Sequence, residues 1–292
     1  MYGKITETAI LTAILSLVIV LAAGDSAAEG SAVAVVDTLV DVGGVHLNFR
    51  IIKGGEPVVL FESGGGWDHH EWDKIAPDVA ARTGATVVCY DRAGFGDSDL
   101  PEIPCDIRVE GEWLWKGLED LSLDKGVVLV GHSYGGWMIR MESSLKPQAV
   151  KGIVFIDPFN NGFVEALGVE YLDQHPMTGI PPFAGDDPST LTRDQRALVR
   201  MIGEGLGPKL AAMQETNIPK EVPVIVLKAC LKTMPEEHEQ VAWEKSIVDL
   251  AESIEGAKLV LAKESSHTIN FSEPELIVDT VVEVVRAAGF RD

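Results

Sequence analysis

A mostly parallel β-sheet with helices on both faces is the architecture this chain predicts, and three features predict it. Short runs rich in Val and Ile alternate with helical stretches from Ala85 to the carboxyl end. Gly43-Gly44 separates two further β-rich runs, the pattern of a hairpin. Finally, Gly131-His132-Ser133-Tyr134-Gly135-Gly136 follows directly on the apolar run Val127 to Val130, as where a buried strand turns sharply into a helix.

Taken in order, Val35 to Val42 and Val45 to Ile52 form an antiparallel opening, and Pro57 to Phe61 is the next strand, ending in a glycine-rich turn. A helix over Glu71 to Arg82, a strand over Ala85 to Tyr90, a helix over Glu110 to Leu121, the strand Val127 to Val130 and a helix to Leu145 follow. Val150 to Ile156, Val222 to Leu227 and Lys258 to Leu261 complete an eight-stranded sheet, with helices over Glu236 to Glu255 and Glu275 to Ala287. Between Pro158 and Lys220 the alternation stops. That stretch carries Pro176, Pro181, Pro182 and Pro188 among apolar helical segments and is too long for a connecting loop, so it is expected to be a small helical cap, about 158–220.

Composition sets limits on function. The 292 residues are 46% hydrophobic and 24% charged, enough to bury one sizeable core. Against 45 acidic residues stand 24 basic ones with no basic tract, and the net charge of -21 argues against nucleic acid as a partner. Lys4 precedes an uncharged run from Thr8 to Gly24, and the small residues Ser26-Ala27-Ala28 come before Glu29. Residues 1–28 therefore read as a signal peptide, residues 33–292 as the folded domain, and the product as secreted or periplasmic. The competing reading is an uncleaved membrane anchor; once cleaved, the chain is expected to make no stable membrane insertion.

Three cysteines allow at most one internal disulfide. Cys89 lies in a strand and Cys230 ends another, so both are expected to be buried thiols, while Cys105 falls in a loop. No cysteine or histidine spacing suggests a metal site, and the rings of His69 and His70 are expected to point apart. Neither a metal nor a cofactor is expected.

The glycine-flanked Ser133 carries the chemistry. Glycines two before and two after it admit a turn that side chains would block, which leaves the hydroxyl strained and exposed at the first turn of a helix. With Tyr90-Asp91-Arg92-Ala93-Gly94-Phe95-Gly96-Asp97-Ser98 after one strand, and Ser265-Ser266-His267 after the last one, the chain resembles the α/β-hydrolase fold family over nearly all its length beyond the leader. The resemblance implies a serine nucleophile, an acid and a histidine in that chain order. His267 is then the general base, and His46, His69, His70, His175 and His238 read as ordinary surface or core residues. His132 neighbours the nucleophile and is expected to pack under the turn, with a place in the pocket lining as the alternative.

The family's usual acid position is empty here, because the strand Val222 to Leu227 continues into Lys228-Ala229-Cys230 with no carboxylate. Asp157, at the end of the preceding strand, is the expected acid, since a variant of the family carries its acid there; Glu236 and Glu237 read as surface residues in the first turn of a helix and become the acid only if Asp157 merely caps the segment before Pro158. By the same resemblance the backbone amides of Tyr134 and Gly65 form the oxyanion hole, although Ser63 stands where the family commonly has histidine. Trp67, Phe159 and Phe163 are expected to line an apolar substrate pocket, with Trp72 at the mouth or in the core. The expected activity is cleavage of a small carboxylic ester through an acyl-enzyme. Amide, peptide or carbon–carbon bond hydrolysis would use the same residues, and a binding protein that keeps the fold without the chemistry is the reading from another class.

Overall fold

The computed structural model describes residues 34–175, 190–203 and 205–290. The stretch read as a leader, and Pro176, Met177, Pro181, Pro182, Phe183 and Pro188 of the expected cap, lie outside the described residues.

Eight strands form one sheet: β1 (Val35–Asp41), β2 (His46–Ile52), β3 (Gly55–Glu62), β4 (Ala85–Tyr90), β5 (Val127–His132), β6 (Val150–Ile156), β7 (Val224–Ala229) and β8 (Lys258–Ala262). Their order across it is β1-β2-β4-β3-β5-β6-β7-β8, with β2 antiparallel to both neighbours and β3 through β8 parallel. The central strands read as continuous apolar runs because both faces are buried. Leu60, Leu129, Ile153 and Phe155 point into one core, and Val59, Phe61, Val128, Val130 and Val154 into the other. β1 alternates instead, with Val35 and Leu39 exposed, since its outer face meets water.

The first core is covered by α2 (Ile107–Asp120), α3 (Tyr134–Leu145) and α8 (Glu237–Ser253), and the second by α1 (Ala76–Thr83) and α10 (Pro274–Ala287). Asp106 caps α2 by accepting from the amides of Arg108 and Val109, which starts this helix three residues before the expected Glu110. The helix expected from Glu71 divides. A single 3-10 turn, His69–Trp72, is capped by Asp68, and α1 begins only at Ala76 with Pro77 in its first turn. Glu71 is thereby released from a helix surface and buried.

Two further expectations are corrected. Strand β7 ends at Ala229, and Cys230 beyond it is exposed; Cys89 and Cys105 are buried, and all three thiols are free. The rings of His69 and His70, in the 3-10 turn, do not point apart but lie 4.1 Å from one another. Each bonds its own carboxylate, His69 to Asp91 at 2.7 Å and His70 to Asp73 at 2.8 Å.

The cap contains α4 (Asn161–Leu167), α5 (Val169–Gln174), α6 (Arg193–Ile202) and α7 (Leu206–Gln214). Two arginines fasten α6 over the carboxyl ends of the strands. Arg193 donates to the carbonyls of Gly96 and Ser98, and Arg200 pairs with Glu110 at 2.7 Å and donates to the carbonyl of Ala93. Among the described residues no helix is long and apolar enough to cross a membrane.

Candidate active site

Ser133 sits between β5 and α3 with φ 52° and ψ -120°, a conformation that costs an ordinary residue energy and that its surroundings enforce. A Cβ at Gly131 would lie 2.5 Å from the carbonyl oxygen of Gly135, and one at Gly135 would lie 2.4 Å from that of Glu62. A Cβ at Gly136 would meet Pro158 at 2.5 Å, so the third glycine makes room for the loop after β6.

That loop begins with Asp157, also at positive φ and fully buried. Its Oδ1 accepts the Ala229 amide at 3.0 Å, and its Oδ2 accepts the Trp243 indole at 3.0 Å and faces His267 Nδ1 at 2.8 Å. Three donors compensate the lost hydration of a carboxylate in the interior. On the other side of the ring His267 Nε2 lies 2.8 Å from Ser133 Oγ. The structure thus joins Ser133, His267 and Asp157 in one hydrogen-bonded line. Glu236 instead begins α8 as its N-cap, and Glu236 and Glu237 are both exposed.

Burial lowers the His267 pKa below the ordinary histidine value, Asp157 opposing this and His132 adding to it. The ring is packed at 5.3 Å edge-on to Trp243 and at 4.7 Å from His132. A neutral imidazole accepting from the serine hydroxyl and held by a carboxylate on its other nitrogen is what proton transfer requires.

The loop after β3 lies against the nucleophile turn. A Cβ at Gly65 would stand 3.5 Å from Tyr134 Cβ, and the Gly65 amide has no hydrogen-bond partner among the described residues. The Gly64 amide is engaged by Glu71 Oε2 at 2.7 Å, and that of Trp67 by the Gly64 carbonyl at 3.3 Å. Tyr134 opens α3, where an amide lacks an intrahelical acceptor. Gly65 and Tyr134 therefore present two free amides on adjoining backbone.

Arg92 braces this loop from below, donating to the carbonyls of Ser63 and Gly64 and to Glu62 Oε1, each at 2.5 Å. Burial pushes the Glu62 and Glu142 carboxyls up, Glu142 well up, and the Arg92 guanidinium opposes this at both. Ser63, in the place commonly taken by histidine, accepts from the Trp72 indole and donates to the Asp68 carbonyl. Trp72 is fully buried and belongs to the core.

Of the expected pocket residues, Trp67 is 44% exposed and packs at 5.4 Å on Phe271, itself 45% exposed. Phe159 and Phe163 are buried, in an aromatic group with Trp137 and Trp243 behind the triad. Met201 and Leu198 of α6 lie over Gly65 and Gly66. Asp68, His69 and Asp91 bring possible metal-ligating atoms within 4.8 Å of one another. Asp91, however, already accepts from the His69 amide, Asn48 and the Asp97 amide, which makes it the anchor of its own loop.

A family model described as the alpha/beta hydrolase family matches residues 58–280, well over half of the chain. The chain belongs to that family. Among curated relatives of this alpha/beta hydrolase, the 2-hydroxy-6-oxo-6-(2'-aminophenyl)hexa-2,4-dienoic acid hydrolase of Metapseudomonas resinovorans is 28% identical over 130 residues, 44% of each chain. The chain spans less than half the length of the first curated relatives it matches. Among solved structures it is similar to an epoxide hydrolase (TM-score 0.62, 18% identity, 87% of this chain and 99% of that one). It is similar also to the 2-hydroxy-6-oxo-6-phenylhexa-2,4-dienoate hydrolase of a Rhodococcus species (TM-score 0.61, 15% identity, 87% and 99%). These likenesses to solved structures show a shared fold. With the Ser133–His267–Asp157 line, membership supports a serine-hydrolase mechanism of the generic kind.

Sequence reasoning missed Glu71, Trp243, Asn270 and Phe271 as parts of this site. Trp243 carries no local signal, since it meets Asp157 across 86 positions. An acidic residue just beyond a glycine-rich turn was the only available hint for Glu71.

Proposed function

We propose that this chain hydrolyses small acyl compounds through an acyl-enzyme on Ser133. The observation that carries the reading is the unbroken line from Ser133 Oγ through His267 to a fully buried Asp157. In the first step the hydroxyl oxygen attacks the substrate carbonyl carbon while His267 Nε2 takes its proton. The amides of Gly65 and Tyr134 receive the negative charge on oxygen, and Asp157 stabilises the imidazolium. Collapse expels the leaving group with the proton from His267. Water then repeats the sequence and frees Ser133, with acid and leaving group as products.

Trp67, with Phe271 beside it, offers an apolar surface at the mouth, while Phe159 and Phe163 support the wall behind the triad. An ester is the plainest substrate for this arrangement. Carbon–carbon bond hydrolysis is the second reading, favoured because a curated relative 28% identical over 130 residues is named as a hydrolase of a hydroxy-oxo-dienoic acid. The epoxide hydrolase supports neither bond, since fold likeness at 18% identity carries no chemistry.

The test is intact mass after exposure to a fluorophosphonate, with Ser133→Ala as control, followed by turnover of p-nitrophenyl esters and of a 2-hydroxy-6-oxo-dienoate. One adduct on Ser133 and turnover of either substrate is expected, and the faster substrate decides the bond. No adduct on a folded protein would leave a binding protein as the better reading. We also propose that the chain is exported, on the strength of residues 1–28; an amino terminus near Glu29 on protein recovered outside the cytoplasm is the expected result.

A further inference from the structure

Beneath the triad lies a second imidazole and carboxylate that the reaction does not touch. His132 is 2% exposed and Glu71 is 3% exposed. His132 Nδ1 lies 2.5 Å from Glu71 Oε1, and its Nε2 lies 3.0 Å from the backbone carbonyl of His267. Both ring nitrogens therefore face oxygens that can only accept, because a carbonyl has no hydrogen to give and Glu71 is surrounded by donors. Its Oε2 takes the Gly64 amide at 2.7 Å, and its Oε1 takes the Asn270 side-chain amide at 3.1 Å as well. A neutral imidazole carries one N–H and would leave one of these contacts as two opposed lone pairs; the doubly protonated ring satisfies both.

The connections reach the loops on both sides of Ser133. Glu71 holds the loop that carries Gly65, Asn270 belongs to the short helix α9 (Ile269–Ser272) after the catalytic histidine, and His132 holds the backbone of His267 itself. His132 is also the residue before the nucleophile.

We propose that Glu71 and His132 form a buried carboxylate–imidazolium pair that fixes the Gly65 loop and the His267 loop on either side of Ser133, making both of them positioning residues. The proposal rests on the reading of Ser133 as the nucleophile. Its electrostatic side has a definite sign. The titratable groups facing His132 are Glu71 from the 3-10 turn, His267 from the loop after β8 and Asp157 from the loop after β6. Burial is the largest single influence and disfavours its charge, yet the Glu71 carboxylate, helped by the His267 carbonyl and Asp157, leaves the His132 pKa raised. The resulting cation helps to keep His267 unprotonated, and its influence there exceeds the opposing one of Glu71.

Two measurements test this. In histidine-¹⁵N spectra of the intact wild-type protein, His132 (assigned by its loss in His132→Gln) is expected to show both ring nitrogens protonated at pH 7 and above. A neutral His132 at pH 7 overturns the proposal whatever the protein's activity. In Glu71→Gln the ring loses its anion and with it its proton, so the acid limb of Ser133 phosphonylation by a fluorophosphonate is expected to move to higher pH. The plateau rate is expected to fall roughly 10- to 100-fold, the cost of a misplacement of about an ångström. A Glu71→Gln protein with an unmoved acid limb, its loss explained by fewer reactive sites, means that Glu71 serves folding alone. If the wild type shows the charged His132 but no phosphonylation, the pair stands as structure and the reading of Ser133 fails instead.

Discussion

Two histidine–carboxylate pairs lie within one ring contact of each other, and they differ in what their second nitrogen meets. His267 is bound to Asp157 on one side and to a hydroxyl on the other, and its side chain keeps 27% exposure. His132 is bound to Glu71 on one side and to a carbonyl on the other, and it is buried. A hydroxyl can give up or receive a proton as the chemistry demands, whereas a carbonyl can only accept one. The same two residue types are thus a proton shuttle in one place and a fixed charge in the other, and the neighbour on the far nitrogen makes the difference.

The largest way to sharpen that contrast is Ser133→Ala, which removes the hydroxyl that makes His267 a shuttle. Turnover is expected to fall by roughly a millionfold, measured as kcat on whichever substrate is cleaved, with the thermal transition preserved. Asp157→Asn comes next, at about a thousandfold or more in kcat, because it withdraws the charge that orients and stabilises the imidazolium. It should cost more than Glu71→Gln; the reverse order would mean that positioning by the buried pair outweighs the charge of Asp157. Trp243→Phe keeps an aromatic ring near His267 but deletes the N–H donated to Asp157 and part of a buried indole. Chemical denaturation should show a loss of at least about 2 kcal/mol, the worth of a hydrogen bond to a charged group with the cavity added to it, and kcat should be reduced more than KM is raised.

The smallest effect is one of pH. His267 works unprotonated, and its pKa is lowered from 6.5, so it sheds its proton at a lower pH than a free histidine. The acid limb of kcat/KM should therefore lie below pH 6.5, and a limb above that value would show that Asp157 outweighs burial and the His132 charge.

Much of the fold was legible because its signals are local. Val150 to Ile156 reads as a strand from seven residues alone, and the structure has the same bounds. The glycines at 131, 135 and 136 announce a tight turn, although the atoms they avoid belong to Gly135, Glu62 and Pro158 and could not be named beforehand. The helix expected from Glu71 failed for a related reason. Its periodic pattern was real, but Asp68 caps a shorter turn, Pro77 starts a separate helix, and the Glu71 carboxylate is drawn inward by the Gly64 amide. Cys230 was misplaced because a strand's last residue and the first one beyond it look alike in sequence, while only the former is covered by neighbours.

By itself, the sequence determined an eight-stranded α/β architecture, a strained serine between a strand and a helix, and the identity of the histidine loop. These depend on patterns within a few residues: alternating burial, turn sterics and glycine spacing. The resemblance already pointed to Asp157 as the acid; only the tertiary structure decided that Trp243 holds that carboxylate against His267, and that Glu71 and His132 join the Gly65 loop to the histidine loop. Except for the bond from Gly64 to Glu71, 7 positions apart, those contacts span 61 to 135 positions of chain. They exist because the parallel strands deliver all their carboxyl ends to one edge of the sheet, where hydrogen bonding among buried polar groups selects the partners.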